Sequence, residues 1–123
     1  SFPTRRSSDL LQPQSDAGAL RRYLYEHGWH IEDERLVIDD GRLYELMRAV
    51  PGQAGALPDW IYDIGPVNWQ RRDPLLSRKI DILMETKGHI LEGLKKSRKD
   101  VHERMEKIES ELRFWRELKW QLQ

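Results

Sequence analysis

The sequence has no cysteine, and its 123 residues include no long apolar run. The first absence excludes a disulfide framework and thiolate zinc ligands, and it suits a reducing compartment. The second excludes a membrane span, because a transmembrane helix needs about 20 mostly apolar residues. The four histidines are too scattered to form a ligand set. These observations predict a soluble, cytoplasmic protein without a metal site.

Catalytic and nucleotide-binding motifs are also missing. GxGxxG, GxxxxGK[ST], HExxH and GxSxG do not occur, so no phosphate cradle, zinc site or nucleophile elbow can be argued. The pair Asp39-Asp40 precedes Gly41, where the turn preference of aspartate explains it better than catalysis does. The chain alone is therefore not predicted to be a self-sufficient enzyme.

The net charge of zero hides a division along the chain. Residues 11–70 hold 5 Lys and Arg against 10 Asp and Glu, whereas residues 71–123 hold 14 against 10. A basic second half suits a polyanionic partner, although charge-rich helical faces are commonly just solvated. Both interpretations remain open at this point.

Residues 15–28 have the pattern of a short amphipathic helix. Ser15 or Asp16 can cap its N-terminus, and Gly28 suits the left-handed position after its C-terminus. The residues predicted to share its apolar face are Ala17, Leu20, Tyr23 and Leu24.

A β-hairpin follows this helix. Asp40-Gly41 is a strong signal for a two-residue turn, and β-branched and aromatic residues flank it on both sides. Strands are predicted at 29–39 and 42–50. The acidic residues 32–34 interrupt the first strand and predict a bulge or an exposed edge there.

Residues 51–73 are interpreted as a connector, because they contain several prolines and glycines and are followed by Pro74. Trp60, Tyr62 and Trp69 could stack on nucleic-acid bases. The favoured interpretation is that they fix the connector to a neighbouring surface, since each aromatic side chain buries a large area.

A helical pattern begins at Asp73-Pro74, which supply an N-cap and a first-turn proline. With Ile80 at heptad position d, ten of the thirteen a and d positions are apolar; the exceptions are Lys87, Arg98 and Lys119. The polar run 95–100 can reverse the chain, which predicts an antiparallel coiled-coil hairpin over 74–123. A single continuous helix that dimerises is the alternative.

Five segments together carry a resemblance to a known family. They are "LQP" at 11–13, "LRRYLYEHGW" at 20–29, "DERLVIDDGRLYEL" at 33–46, "IGP" at 64–66 and "ILEGLKKS" at 90–97. In this order and spacing they resemble the C-terminal half of the bacterial tRNA (adenine-22-N1)-methyltransferase family. The resemblance extends from about Leu11 to the end of the chain.

This resemblance implies an α/β fold class: the end of a Rossmann-like methyltransferase sheet at 11–50, followed by the coiled-coil hairpin. It also implies an S-adenosylmethionine-dependent enzyme whose cofactor residues precede Leu11, so no cofactor is expected to bind this truncated chain and no activity is expected from it. Gln12 would lie near the catalytic cleft, although a strand-end turn explains it equally well. The alternative is a non-catalytic coiled-coil adaptor, which accounts for 73–123 only.

The partner implied by the resemblance is tRNA, gripped in part by the hairpin; the oligomeric state stays open. Contacts to RNA phosphates are expected from basic residues in the connector and at the hairpin turn. These residues are Arg71, Arg72, Lys95, Lys96, Arg98 and Lys99.

The first ten residues, "SFPTRRSSDL", stand apart from the family-like sequence. They look like the translation of a short-read sequencing adapter, and the family-like sequence begins directly after them. Residues 1–10 are therefore interpreted as an artefact that replaces a natural N-terminal half, with an authentic disordered N-terminus as the alternative, and they are left out of the predicted fold.

Overall fold

The computed structural model describes residues 8–13 and 16–123. It forms two compact units, the first ending at Leu76 and the second extending from Ser77 to Gln123. The elements are β1 (Asp9–Leu11), α1 (Ala17–Glu26), β2 (Trp29–Asp39), β3 (Arg42–Pro51), α2 (Asp59–Ile64), α3 (Pro66–Arg71), α4 (Leu76–Lys95) and α5 (His102–Gln121).

The three strands form one antiparallel sheet with the order β1-β3-β2. Since β3 is antiparallel to both neighbours, β1 and β2 run parallel and are joined through α1. Asp40 and Gly41 form the two-residue turn with φ of 52° and 75°, as the hairpin prediction requires. The register of β2 shifts between Ile31 and Asp33, which confirms the predicted bulge.

Helix α1 covers one face of this sheet. Its N-cap is Asp16, whose Oδ1 accepts a hydrogen bond from the backbone N–H of Ala19 at 2.9 Å; Ser15 lies outside the described residues. A buried cluster links the helix to the strands and contains Ala17, Leu24, Ile31, Met47 and Ala49. The placement of Tyr23 on the buried face was wrong, because Tyr23 is exposed and Arg21 is buried instead.

Strand β1 begins inside the decamer that was predicted to lie outside the fold. Asp9 pairs with Ala49 and Leu10 pairs with Arg48. Strand pairing uses backbone groups, so these two residues can extend a strand whatever the origin of their side chains. The boundary at residue 10 therefore does not coincide with the start of the fold, and the adapter origin of residues 1–10 stays a prediction.

The connector contains two short helices, α2 and α3, which the sequence did not reveal. Tyr62 is buried, as the interpretation of a fixed connector predicts. Its ring meets that of Tyr25 edge-on, with 5.7 Å between centroids, and its hydroxyl accepts a hydrogen bond from the N–H of Leu57 at 3.0 Å. The connector is therefore folded against α1.

The second unit consists of α4 from Ser77 onward, a turn, and α5. Ion pairs join Lys119 to Asp81 at 2.5 Å and Lys87 to Glu111 at 3.0 Å. Residues near the start of α4 thus face residues near the end of α5, so the two helices run antiparallel. The alternative of a continuous helix does not hold, because the helix is interrupted at 96–101.

The heptad positions of the sequence correspond to the inward face of these helices. Of the thirteen a and d positions, Arg98 alone is exposed, and it lies in the turn. The most buried of them are Ile80, Leu91, Ile108 and Trp115.

Among the helices of the described residues, none combines the length and apolar character needed to cross a membrane. The same part of the chain contains no cluster of three or more histidine, aspartate or glutamate side chains able to hold a metal ion.

Candidate functional site

A buried arginine lies at the centre of the first unit. Arg21 has an exposed fraction of 0%. Its Nε donates to Oε1 of Glu34 at 3.0 Å, and its Nη2 donates to Oε1 of Glu45 at 2.6 Å. Since Glu34 comes from β2 and Glu45 from β3, Arg21 links α1 to both strands.

The charge of Arg21 is secured by these carboxylates. Burial by itself lowers the pKa of Arg21, but the attraction of Glu34 and Glu45 outweighs it, and the pKa is raised above its ordinary value. A permanently charged guanidinium cannot accept or supply a proton at neutral pH. Arg21 therefore has a structural role.

Glu34 also holds the connector helices to the sheet. Its Oε2 accepts hydrogen bonds from the N–H groups of Val67 and Asn68, at 2.8 and 3.1 Å, in the first turn of α3. A carboxylate is favourable there because the free N–H groups of a helix start carry partial positive charge. Gly65, with φ of 99°, lies so close that a Cβ atom would collide with Oε2 of Glu34.

Sequence reasoning missed this network, although a signal existed. Arg21 lies between Ala17 and Leu24 at helical spacing, on the inward face of α1. Glu45 occupies an inward position of β3, two residues before the buried Met47. Charged residues of opposite sign at inward positions of adjacent elements would have predicted a buried ion pair.

The first basic residue of the connector, Arg71, is engaged by the fold. Its Nη2 donates to the carbonyl of Glu34 at 2.7 Å and to Oδ2 of Asp73 at 2.9 Å. Asp73 in turn accepts from the N–H groups of Leu36 and Leu75. Asp73 therefore caps the turn before α4 as predicted, although the helix begins at Leu76, three residues later.

The second basic residue, Arg72, points elsewhere. Its Cζ lies 3.7 Å from the centroid of the Trp69 ring, and its Nη1 donates to the carbonyl of Trp69. The Trp69 ring meets Trp60 edge-on, with 5.2 Å between centroids. Arg72 itself is exposed, so a cation and two indole rings form one surface.

The turn between α4 and α5 carries the other predicted RNA-contact residues. Lys95, Lys96, Arg98 and Lys99 are all exposed, and Lys95 contacts Glu92 at 3.4 Å. The backbone is held locally, since Oγ of Ser97 accepts from the N–H of Lys99 at 3.2 Å. Four cations thus lie within five residues of a short turn.

The predicted site residues are distributed over both units. Gln12 is exposed and directly follows the last residue of β1, which is the strand-end position assigned to it. Arg71 and Arg72 belong to the first unit, whereas the basic turn belongs to the second.

The chain matches a known protein family over most of its length. A family model described as tRNA (adenine(22)-N(1))-methyltransferase, TrmK, matches residues 4–117. The chain belongs to this family. The match includes the helix, hairpin and connector, which a coiled-coil adaptor does not explain. No curated protein matches the chain at a significant level.

Solved TrmK-like structures share the fold. The B. subtilis M1A22 tRNA methyltransferase TrmK is 19% identical with a TM-score of 0.72, over 89% of this chain and 50% of that one. Streptococcus pneumoniae Sp1610 in complex with S-adenosyl-L-methionine is 21% identical with a TM-score of 0.73, over 93% of this chain and 48% of that one. M. capricolum TrmK in complex with S-adenosyl-homocysteine is 13% identical with a TM-score of 0.67, over 95% of this chain and 50% of that one. The chain therefore spans about half the length of these TrmK structures.

Proposed function

We propose that this chain is the C-terminal part of an S-adenosylmethionine-dependent tRNA (adenine-22-N1)-methyltransferase. The observation that carries the proposal is the family match over residues 4–117. The first unit supports the proposal, because α1 and the hairpin β2-β3 are the elements expected at the end of a methyltransferase domain. Such an enzyme acts in the cytoplasm, where its tRNA substrate is.

The proposed organisation follows the sequence boundaries. Residues 11–50 close the methyltransferase sheet, 51–73 connect, and 74–123 form an antiparallel coiled-coil hairpin that helps to grip tRNA. The buried heptad positions and the two ion pairs between α4 and α5 support the hairpin. Residues 1–10 are proposed to be foreign to the natural protein, although the family match begins at residue 4 and β1 begins at Asp9.

The cofactor of the intact enzyme is proposed to be S-adenosylmethionine, but the described residues do not fit it. β1 is followed by Gln12 and Pro13 rather than by a glycine-rich loop that could approach a nucleotide. The acidic pair Asp39-Asp40 lies at the hairpin, where Asp39 ends β2 and Asp40 forms the turn with Gly41. Gln12 is proposed to lie near the cleft of the intact enzyme.

The proposal assigns tRNA binding to this chain and cofactor binding to the preceding half. In calorimetry, S-adenosylmethionine should give no heat beyond dilution, and the chain alone should transfer no methyl group. Micromolar binding of S-adenosylmethionine would contradict the assignment of the cofactor site.

The basic turn provides the RNA test. Replacing Lys95, Lys96, Arg98 and Lys99 together by Ala should weaken tRNA binding and flatten its dependence on log salt, because each phosphate that the protein no longer neutralises reduces the slope by about 0.7–0.9. Unchanged affinity and slope would mean that these side chains only solvate the turn.

The genomic DNA upstream of the codon for Leu11 tests the proposed replacement of the N-terminal half. A reading frame for a Rossmann-like half, continuous with Leu11, is expected there. Its absence would contradict the proposal that a Rossmann-like half directly precedes Leu11 in the natural protein.

A further inference from the structure

The backbone of Arg72 has an unusual conformation. Its φ and ψ are 52° and 57°, in the left-handed region. At the C-terminus of α3, its N–H donates hydrogen bonds to the carbonyls of Asn68 and Trp69. Glycine is the usual residue at this position because a side chain costs free energy there. A non-glycine residue in this strained conformation is a candidate for a functional side chain.

The side chain of Arg72 is already ordered. Its guanidinium lies over the Trp69 ring at 3.7 Å and donates to the Trp69 carbonyl. Trp69 is itself supported by Trp60. The entropy that a long side chain loses on binding is thereby largely lost before a ligand arrives.

The charge of Arg72 is not neutralised within the described part of the chain, where no carboxylate lies within ion-pair distance of it. Its neighbour differs, because the Arg71 guanidinium is bound to Asp73 and to the Glu34 carbonyl. The two adjacent arginines, which the sequence could not distinguish, therefore have different surroundings.

We propose that Arg72, stacked on Trp69, is the connector's contact with a phosphate group of tRNA, and that Arg71 is a structural residue. This inference rests on the proposed function and specifies how the connector meets its substrate. A planar guanidinium presents paired N–H donors that fit phosphate oxygens. The Trp69 ring covers the face of the Arg72 guanidinium, and Nη1 donates to the Trp69 carbonyl, so the proposed phosphate contact uses the remaining N–H groups at its edge. Such a contact is independent of the RNA sequence.

The test compares tRNA affinity over a salt series for the full chain and three variants, with an unmodified tRNA transcript as the probe. Arg72→Gly removes the side chain and suits the left-handed backbone, so its melting temperature should equal or exceed that of the parent. Its affinity should fall about 5- to 10-fold, and the slope against log salt should decrease by about 1. Arg72→Lys should keep most of the slope but lose part of the affinity, because it lacks the planar fork.

Arg48→Gln is the matched control, since it removes one positive charge from an exposed position of β3. It should leave affinity and slope unchanged. Parent-like binding by Arg72→Gly, or an equal loss in Arg48→Gln, would overturn the inference. A parent chain that does not bind tRNA would instead refute the RNA-binding part of the proposed function, and this inference with it. Equal competition by polyglutamate would assign the surface to an acidic polypeptide and also overturn the inference.

Discussion

The two units bury different kinds of side chain. In the first unit, Arg21, Glu34 and Glu45 lie beside an apolar cluster, with exposed fractions of 0, 2 and 9%. In the second unit, the buried side chains are apolar, including Ile108, Trp115 and Leu118, and the ion pairs that join α4 to α5 are partly exposed to water.

The difference follows from what each unit has to position. Two facing helices need only an apolar seam, because each helix satisfies its own backbone groups. The first unit must fix α1, three strands and two short helices, and the ends of its helices carry free N–H and C=O groups that require partners. Glu34 and Arg21 supply those partners at the cost of removing charges from water.

Removing Arg21 should have the largest effect. Arg21→Met leaves Glu34 and Glu45 buried without their cation, and breaking such a buried network costs about 3–5 kcal/mol. The first unit should unfold or melt at much lower temperature while the helical signal of α4 and α5 persists. Circular dichroism in the far and near ultraviolet during thermal unfolding would measure this.

Two controls show whether charge burial is the cause. The triple variant Arg21→Met, Glu34→Gln, Glu45→Gln should regain much of the stability, because it leaves no uncompensated charge. Arg22→Ala, which breaks an exposed pair with Asp59 and a cation–π contact with Tyr62, should cost far less than Arg21→Met. A cost for Arg22→Ala as large as that for Arg21→Met would contradict the proposed role of Arg21.

The second unit should respond to volume rather than to charge. Ile108→Ala removes a buried side chain, 6% exposed, from the seam and should cost about 2–4 kcal/mol through reduced burial and a residual cavity. The destabilisation should appear as reduced helicity on heating. Glu109→Ala, an exposed neighbour on α5, is the matched control and should be nearly neutral.

These two units also differ in how far sequence predicts them. Heptad spacing identified the inward face of α4 and α5, because a helix seam depends on local periodicity. The hairpin was also predictable, because the adjacent residues Asp40 and Gly41 determine its turn. The burial of Arg21 depends on Glu34, Glu45 and the Tyr62 carbonyl, which lie 13 to 41 residues away. The local signal, a charged residue at an inward position of each element, does not identify which of these distant groups meet.

The candidate site shows the same limit. The sequence grouped Arg71 with Arg72 because both are basic and adjacent. Only the fold shows that Arg71 binds Asp73 and that Arg72 stacks on Trp69. The two short connector helices were also missed, since their six-residue lengths are below what periodicity can reveal.

The surface ion pairs of the helical unit should have small effects. Asp81→Asn breaks the contact with Lys119, whose side chain is 31% exposed against 49% for Asp81, and should cost less than about 1 kcal/mol. The difference from the parent should nearly vanish at 1 M salt, where charges are screened over about 3 Å. A destabilisation comparable with that of Ile108→Ala would mean that charge, and not packing, holds α4 to α5.

The smallest effect concerns alkaline pH and is confined to the first unit, since all four tyrosines lie before Ser77. Burial raises the pKa of Tyr25 and outweighs the opposing hydrogen bond from the N–H of Ile31. The folded state therefore holds the phenol proton more tightly than the unfolded state, whose tyrosines titrate near pH ~10. The resulting stabilisation is complete below that pH and is lost as the pH rises through the folded pKa. Urea unfolding of the parent and Tyr25→Phe at pH 8 and above pH 10 should show the parent's advantage shrinking at the higher pH, whereas a constant difference would mean that Tyr25 is not shielded from water.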